Sequence, residues 1–145
     1  LRGAMGTHAA YLQESPVREA MHFTPELSRR ARGVEVWAAL KSLGRSGVAE
    51  LVEGCCGHAT RFAAGLRKAG FEVLNDVVLN QVLVSFGSDD ETHRVIQRVQ
   101  EEGTCWCGGT QWRGRAAMRI SVSSWVTTTA DVDASLAAII RAAGA

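Results

Sequence analysis

The chain has 145 residues, with 46% hydrophobic residues, 21% charged residues and a formal net charge of +1. This length suits one domain with its own core, and the near-neutral charge gives no electrostatic basis for binding nucleic acid or an acidic membrane. No apolar run reaches the roughly 20 residues that a membrane-spanning helix needs. The chain begins at Leu1 without a signal segment, so we expect a piece of a longer, cytoplasmic protein.

The N-terminal part of the sequence, residues 1–25, has little periodicity and is typical of extended and loop segments. Thr24 and Pro25 then suit the cap and the first turn of a helix. Gly44 and Gly47 predict the end of that helix. Its apolar stripe at helical spacing comprises Leu27, Ala31, Val34, Trp37 and Ala38.

A second helix is predicted from Val48 to Leu66, where apolar residues follow the helical period for five turns, and Gly70 ends it. Gly54 and Gly57 lie inside this helix, and each costs about 1 kcal/mol relative to Ala. A glycine retained at that cost suggests that another helix packs closely against it.

The second half of the sequence predicts strands and two further helices. Ser88-x-x-Glu91 and Thr128-x-x-Asp131 are capping boxes that begin these helices, and Gly103 ends the first of them. Short connections favour an antiparallel sheet with the helices on one face, so the predicted fold class is α+β. The predicted strands span 71–75, 78–86, 104–107 and 116–123, and a glycine-rich turn joins the last two.

The last predicted strand carries the strongest candidate for a binding residue, Arg119. Ser121 and Ser123 share its face, and apolar residues alternate with them. A guanidinium flanked by hydroxyls can bind both oxygens of a carboxylate. The residues alone leave open a second interpretation, in which Arg119 is a surface residue paired with a nearby Asp or Glu. The opposite, buried face comprises Met118, Ile120 and Val122.

The four cysteines are Cys55, Cys56, Cys105 and Cys107. Adjacent residues on a helix diverge by about 100°, which separates the first two thiols. The C-x-C pair on a strand face could bind a metal, but the chain lacks the spacing of a Cys/His zinc module. We therefore predict reduced cysteines that pack as small hydrophobic residues, with no metal site and no disulfide.

Four short motifs are informative when they are taken together. The basic stretch Ser28-Arg29-Arg30-Ala31-Arg32 precedes Trp37 in the first helix and Gly44 at its end. Asn80-Gln81-Val82-Leu83-Val84 and Met118-Arg119-Ile120-Ser121 complete the pattern. The sequence resembles the pyridoxal-phosphate-dependent amino-acid decarboxylases of the aromatic-amino-acid and glutamate decarboxylase group. The resemblance runs along nearly the whole chain and matches only the C-terminal third of such an enzyme.

This resemblance implies a small C-terminal domain, residues 26–145, of a fold type I enzyme, preceded by residues 1–25 from the large domain and connecting loop. It implies that Arg119 binds the α-carboxylate of an amino-acid substrate as the small domain closes over the active site. It also implies a homodimeric parent that uses pyridoxal 5'-phosphate. Ser28, Arg29, Arg30 and Arg32 align with the basic segment that precedes the long helix in this family, and we assign no individual role to any of them.

The lysine that bonds to the cofactor in this family has no counterpart in the chain. That lysine follows a histidine in the large domain, whereas the two lysines here, Lys41 and Lys68, follow other residues. Both lie near the C-terminal ends of predicted helices, where a lysine interacts favourably with the helix dipole. We therefore expect the main cofactor site to lie in the missing large domain and this chain alone to be inactive.

Other assignments remain open. The parent could be another fold type I enzyme, such as an aminotransferase or an aldehyde-forming relative. A freestanding, non-enzymatic α+β interaction module would show the same order of elements. Trp106 and Trp112 either line the substrate pocket or pack against the large domain. The sequence does not identify the amino acid on which the parent acts.

Overall fold

A computed structural model describes Phe23 and residues 30–144 of the chain. Predictions that fall on residues 1–22 and 24–29, including Ser28 and Arg29, lie outside the described residues. Contacts divide the chain into two units, Leu1–Leu43 and Gly44–Ala145. In the described part, the elements in chain order are α1 (Arg32–Lys68), β1 (Glu72–Val73), β2 (Gln81–Ser85), α2 (Asp89–Glu102), β3 (Gly108–Trp112), β4 (Arg115–Ser121) and α3 (Thr129–Ala142).

Helix α1 covers both of the first two predicted helices. Gly44 interrupts it with φ 62° and ψ −172°, a conformation that glycine adopts without a steric penalty. The prediction that Gly47 also ends the helix is wrong, because one residue with positive φ suffices and Gly47 itself is helical. On the N-terminal side of this kink the described residues of the predicted apolar stripe are exposed, including Val34 and Trp37.

The glycines of α1 differ from their prediction in another way. A Cβ atom added at Gly54 or Gly57 would meet nothing within 4 Å, so neither of the other two described helices packs closely there. A Cβ atom at Gly65 would overlap the side chain of Leu136 in α3, lying 3.2 Å from its Cδ1 and Cγ atoms. The close approach of two helices therefore falls at Gly65, about two to three turns further along the helix.

The sheet of the second unit is fully antiparallel, with the strand order β1-β2-β4-β3. Helices pack on one of its faces, which confirms the predicted α+β class. The core lies between the sheet and the helices, and burial of each large aliphatic side chain there stabilises the fold by about 1.5–3 kcal/mol. Its larger members are Phe62, Leu66, Val82, Val84, Phe86, Val95, Ile96, Val99, Met118, Ile120, Val122, Val132 and Ile139.

The caps of α2 and α3 follow the sequence prediction with one difference. The Thr128 hydroxyl accepts a hydrogen bond from the Asp131 amide, and the Asp131 carboxylate accepts one from the Thr128 amide, completing that capping box. Ser88 caps α2 by accepting from the Glu91 amide at 3.1 Å. The Glu91 carboxylate pairs with Arg94 one turn along the helix, so this box is only half formed.

The third strand lies later in the chain than predicted. Residues 104–107 are irregular, β3 occupies Gly108–Trp112, and the hairpin turn is Arg113-Gly114 with φ 50° and 79°. Two positive φ values at the centre of a two-residue loop match the twist of the strands they join. Glycine weakens a strand, so the glycines that begin β3 indicated a turn. Pairing with β4 holds them in the ladder. The other three strands are shorter than predicted.

Candidate functional site

Arg119 lies on the exposed face of β4, as the alternating sequence predicts. Its neighbours along the strand, Met118 and Ile120, are buried against the helices at 0% and 4% exposure. Across the sheet, Arg119 is opposite Leu83 of β2 and Gly108 of β3. Two motifs some forty residues apart in the sequence are therefore adjacent strands, and both contribute to the surface around the guanidinium.

The guanidinium of Arg119 is unpaired among the described residues. None of the ion pairs in that part of the chain includes it. Arg115, four residues earlier on the same face, donates to both Glu72 carboxylate oxygens at 3.0 and 2.6 Å. The surface ion pair that the sequence left open for Arg119 is thus formed by Arg115.

Gly108 leaves space on one side of Arg119. Opposed residues of an antiparallel pair share a face of the sheet, with Cβ atoms about 5 Å apart. A Cβ atom at Gly108 would meet nothing within 4 Å, so the position beside the guanidinium is open. On the other side, Leu83 is 8% exposed and gives an apolar boundary. The arrangement leaves room for a planar anion beside the guanidinium.

Two asparagines hold β2 against its neighbours near this position. The Asn75 carboxamide donates to the Gln81 carbonyl at 3.1 Å and accepts from the Leu83 amide at 2.8 Å. Asn80 donates from its side chain to the Val122 carbonyl at 2.8 Å. Sequence reasoning placed Asn75 at the end of a strand and Asn80 in a motif but assigned neither a structural role. These bonds fix the register that places Leu83 opposite Arg119.

The basic segment before α1 is only partly described. Arg30 forms an ion pair with Glu35, and Arg32 is the first residue of α1. Both arginines are exposed. The pairing of Arg30 is local to the helix start, where an acidic side chain also interacts favourably with the dipole.

The described residues do not fit pyridoxal phosphate. Lys41 and Lys68 both lie on the exposed surface of α1, whereas a Schiff-base lysine has to approach an enclosed aldehyde. A helix N-terminus can bind phosphate, but the first turn of α2 carries three acidic residues that would repel it. They are Asp89, Asp90 and Glu91.

A cavity of about 220 Å³ lies in the second unit, beside the irregular segment before β3. Its walls include Cys105, Cys107 and Ser135. Cys105 is half-buried and Cys107 is 4% exposed. The hydrogen bond from Cys107 lowers the pKa of the Cys105 thiol to about 7, with a further contribution from Ser135. The same hydrogen bond and burial raise the pKa of Cys107. Sequence reasoning missed this asymmetry, which depends on the irregular backbone.

The two tryptophans near this segment are in different environments. Trp106 lines the cavity and is 77% exposed, whereas Trp112 is 36% exposed beneath the guanidinium of Arg113, which lies 5.6 Å from its ring. Trp125 is 82% exposed in the loop before α3. The described residues contain no group of three or more acidic, histidine or cysteine side chains placed to hold a metal. Within them, no helix is both long and apolar enough to cross a membrane.

Comparison with known proteins adds a family match. Residues 1–87 match the family described as "Pyridoxal-dependent decarboxylase conserved domain", a match that includes β2 and ends before β4. Histidine decarboxylase of Drosophila melanogaster is 29% identical over 114 residues, covering 77% of this chain and 14% of that protein.

Solved structures give the same fold. Oryza sativa TDC, in a crystal structure with PLP and tryptamine, superposes with a TM-score of 0.84 at 19% identity, covering 99% of this chain and 33% of that one. Mouse CSAD in its apo form gives a TM-score of 0.76 at 16% identity, with 98% and 33% coverage. The chain thus spans about a third of the length of these structural relatives.

Proposed function

Because this chain belongs to the pyridoxal-dependent decarboxylase family, we propose that it is the C-terminal part of an amino-acid carboxy-lyase. Pyridoxal phosphate is the cofactor of the parent, and the described residues offer no site for it. We place that site, with its lysine, in a large domain outside this chain. Residues 1–25 then come from the large domain and connecting loop, and residues 26–145 form the small domain.

Within this assignment, Arg119 binds the α-carboxylate of the amino-acid substrate. The observation that carries the proposal is the Arg119 guanidinium on the exposed sheet face, which pairs with no acidic side chain in the described part of the chain, together with the open space at Gly108. A planar guanidinium can donate two parallel hydrogen bonds to a carboxylate, which fixes the orientation of the carboxylate as well as its position. Sheet pairing on both sides of β4 limits the movement of the backbone that carries Arg119.

The remaining parts of the proposal concern the parent as a whole. We propose a cytoplasmic homodimer, as the family resemblance implies, with a small domain that closes over the active site. Each of the two units exposes apolar side chains, which supports contact of each unit with another part of the assembly, since large exposed apolar areas are uncommon on isolated monomers. They include Trp37, Leu40, Trp106 and Trp125.

The decisive experiment replaces Arg119 in the full-length enzyme. Arg119→Ala removes a charge-assisted contact worth roughly 2–4 kcal/mol, so kcat/KM should fall by about 30- to 1000-fold. Cofactor absorbance should persist, because Arg119 does not hold the cofactor. Arg119→Lys keeps the charge but loses the planar fork, so it should restore activity only in part. Unchanged kcat/KM in Arg119→Ala would remove Arg119 from the substrate site.

Arg115→Ala is the matched control. Arg115 lies on the same strand face but is already paired with Glu72, so its loss should leave kcat/KM close to that of the parent. Gly108→Val tests the open position in the opposite sense, because its Cβ atom would meet nothing within 4 Å and its branched side chain would fill space beside Arg119. It should raise KM while the protein stays folded. Products of the parent reaction separate the alternatives: an amine with CO₂ supports the carboxy-lyase, whereas an aldehyde or a keto acid supports another fold type I enzyme.

A further inference from the structure

The sheet face that carries Arg119 also carries a glutamine and a serine. Gln81 of β2 is opposite Ser121 of β4, and the next pair on the same face is Leu83 and Arg119. Residues two apart on a strand share a face, so both pairs lie on the same side of the sheet. The three polar residues, Gln81, Arg119 and Ser121, are all exposed.

The hydrogen bonds of β2 show that the side chains of these pairs lie close together. Leu83 uses its amide and its carbonyl on the β1 side, where they bond to the Asn75 side chain and the Leu74 amide at 2.8 Å each. The Gln81 carbonyl likewise accepts from the Asn75 side chain. Both residues therefore form non-hydrogen-bonded pairs with β4, in which opposed Cα atoms are about 4.5 Å apart and side chains are closer than in hydrogen-bonded pairs.

This register places Gln81 diagonal to Arg119 across the two strands. Diagonal neighbours on one face are about 7–8 Å apart, a separation that long side chains bridge. A carboxamide nitrogen and a guanidinium can then both donate to one anion that lies between them. Ser121, directly opposite Gln81, adds a hydroxyl to the same surface.

The three polar side chains have no partners within the described part of the chain. Gln81 and Ser121 form no side-chain hydrogen bond there, and Arg119 forms no ion pair. Arg115, on the same strand face, is neutralised by Glu72. Around Arg119 the described residues thus leave one positive charge uncompensated, which matches the charge of one carboxylate.

The other neighbours of Arg119 on this face offer less. Ser85 is the second diagonal neighbour on β2, but it is 2% exposed and its hydroxyl donates to the Gly87 carbonyl at 3.3 Å. On β3, Gly108 has no side chain, and the short side chain of Thr110 is half-buried. Gln81 is therefore the neighbour that combines a long side chain with a free donor.

We propose that Gln81 is a second contact for the substrate carboxylate: its carboxamide nitrogen donates to the carboxylate that Arg119 binds. This inference rests on the function proposed for Arg119. The guanidinium supplies the charge and two parallel donors, and the neutral carboxamide adds a donor from β2 without adding a second charge. The Asn75 side chain positions Gln81 by holding its carbonyl at 3.1 Å.

The test replaces Gln81 in the full-length enzyme, with kcat/KM measured for the common amino acid that it decarboxylates fastest. Gln81→Glu keeps the size of the side chain but replaces the donor with a negative charge beside the carboxylate. The loss of a hydrogen bond to a charged group corresponds to about a 10- to 150-fold decrease, and charge repulsion adds to it. Since the contact exists before CO₂ leaves, the decrease should appear mainly as a higher KM.

Gln111→Glu is the matched control. Gln111 is also an exposed strand glutamine, but it is opposite the buried Ala116 and so lies on the other face of the sheet. The same change of charge there should leave kcat/KM close to that of the parent. Cofactor absorbance should persist in both variants.

A double-mutant cycle gives a readout that a purely structural role would not change. Gln81→Leu removes the donor without adding a charge, and alone it should lower kcat/KM by about 10- to 150-fold. In an Arg119→Ala background the carboxylate is no longer held between the two groups, so the same substitution should cost at least about 2-fold less. A residue that acts only through the fold of β2 lowers activity by the same factor in both backgrounds.

The outcomes separate this inference from the function on which it rests. If Arg119→Ala is impaired while Gln81→Glu matches the Gln111→Glu control, the arginine stands as the carboxylate site and Gln81 is excluded from it. Equal losses from Gln81→Leu in both backgrounds would also overturn the inference. Unchanged kcat/KM in Arg119→Ala would overturn the proposed role of Arg119 and this inference together.

Discussion

Replacing Gly65 with Ala should destabilise the protein, whereas the same replacement at Gly57 should stabilise it. Both glycines are helical residues of α1, so Ala gains about 1 kcal/mol of helix propensity at either position. The surroundings differ, because the new methyl group at Gly57 points into open space and at Gly65 it overlaps Leu136. Comparison of the two variants separates packing from propensity.

The magnitude follows from these two contributions. Forcing an extra methyl group into a packed interface costs about 1–3 kcal/mol, so Gly65→Ala should lose between about zero and 2 kcal/mol of net stability. Gly57→Ala should gain about 1 kcal/mol. The free energies of unfolding of the two variants should therefore differ by about 1–3 kcal/mol, which equals the packing cost alone.

Urea denaturation of the two variants and the parent measures this difference. With a slope of about 2 kcal/mol per molar urea, Gly57→Ala should raise the midpoint by about 0.5 M, and Gly65→Ala should not raise it. A shorter side chain at position 136 provides the control. In a Leu136→Ala background, Gly65→Ala should become stabilising, because the new methyl group no longer overlaps the side chain at position 136. A Gly65→Ala midpoint as high as that of Gly57→Ala would refute the close packing of α1 against α3.

Two further predictions follow from the charged groups. Treatment with pyridoxal phosphate and then borohydride should label Lys41 and Lys68 only weakly and without preference for one site, because neither lysine is enclosed. Mass spectrometry maps the labelled residues. A single stoichiometric adduct with a visible absorption band would contradict this prediction. Hydrogen bonds from Thr128 lower the pKa of Asp131, and the Arg61 guanidinium lowers that of Asp133. A carboxyl group whose pKa is lower in the folded state than in the unfolded state stabilises the protein above its unfolded-state pKa, and this stabilisation is lost as the pH falls. The urea midpoint should therefore decrease once the pH falls below about 4. Asp133→Asn should weaken that drop; an equal drop in the variant would exclude this carboxylate.

The sequence alone predicted the structure correctly where interactions between residues close in the chain determine it. The cap at Thr128, the helix end at Gly103 and the alternation around Arg119 all follow from interactions between residues close in the chain. The α+β class followed as well, because short connections between strands leave few alternatives to an antiparallel sheet. The family motifs added the expectation that Arg119 binds a substrate carboxylate, which remains a proposal.

Predictions were less accurate where contacts with residues distant in the sequence determine the local structure. The glycines of β3 favour a turn locally, and only pairing with β4 makes them a strand. Likewise, nothing near Gly65 in the sequence distinguishes it from Gly57, because the difference is the side chain of Leu136, some seventy residues later.

The candidate sites show the same division. The sequence identified Arg119 as a candidate binding residue, since residue type and alternation suffice for that, whereas it predicted the four cysteines to act only as small hydrophobic residues. The ion pair between Arg115 and Glu72 depends on the strand order, which places β1 beside β2 on the side of β2 away from β4. Arg119 has no such partner within the part of the chain that the structure describes. The lowered pKa of Cys105 required an irregular backbone and Ser135 from α3. Electrostatic interactions depend on distances in space, so tertiary structure alone decided which of these groups is paired, buried or ionised.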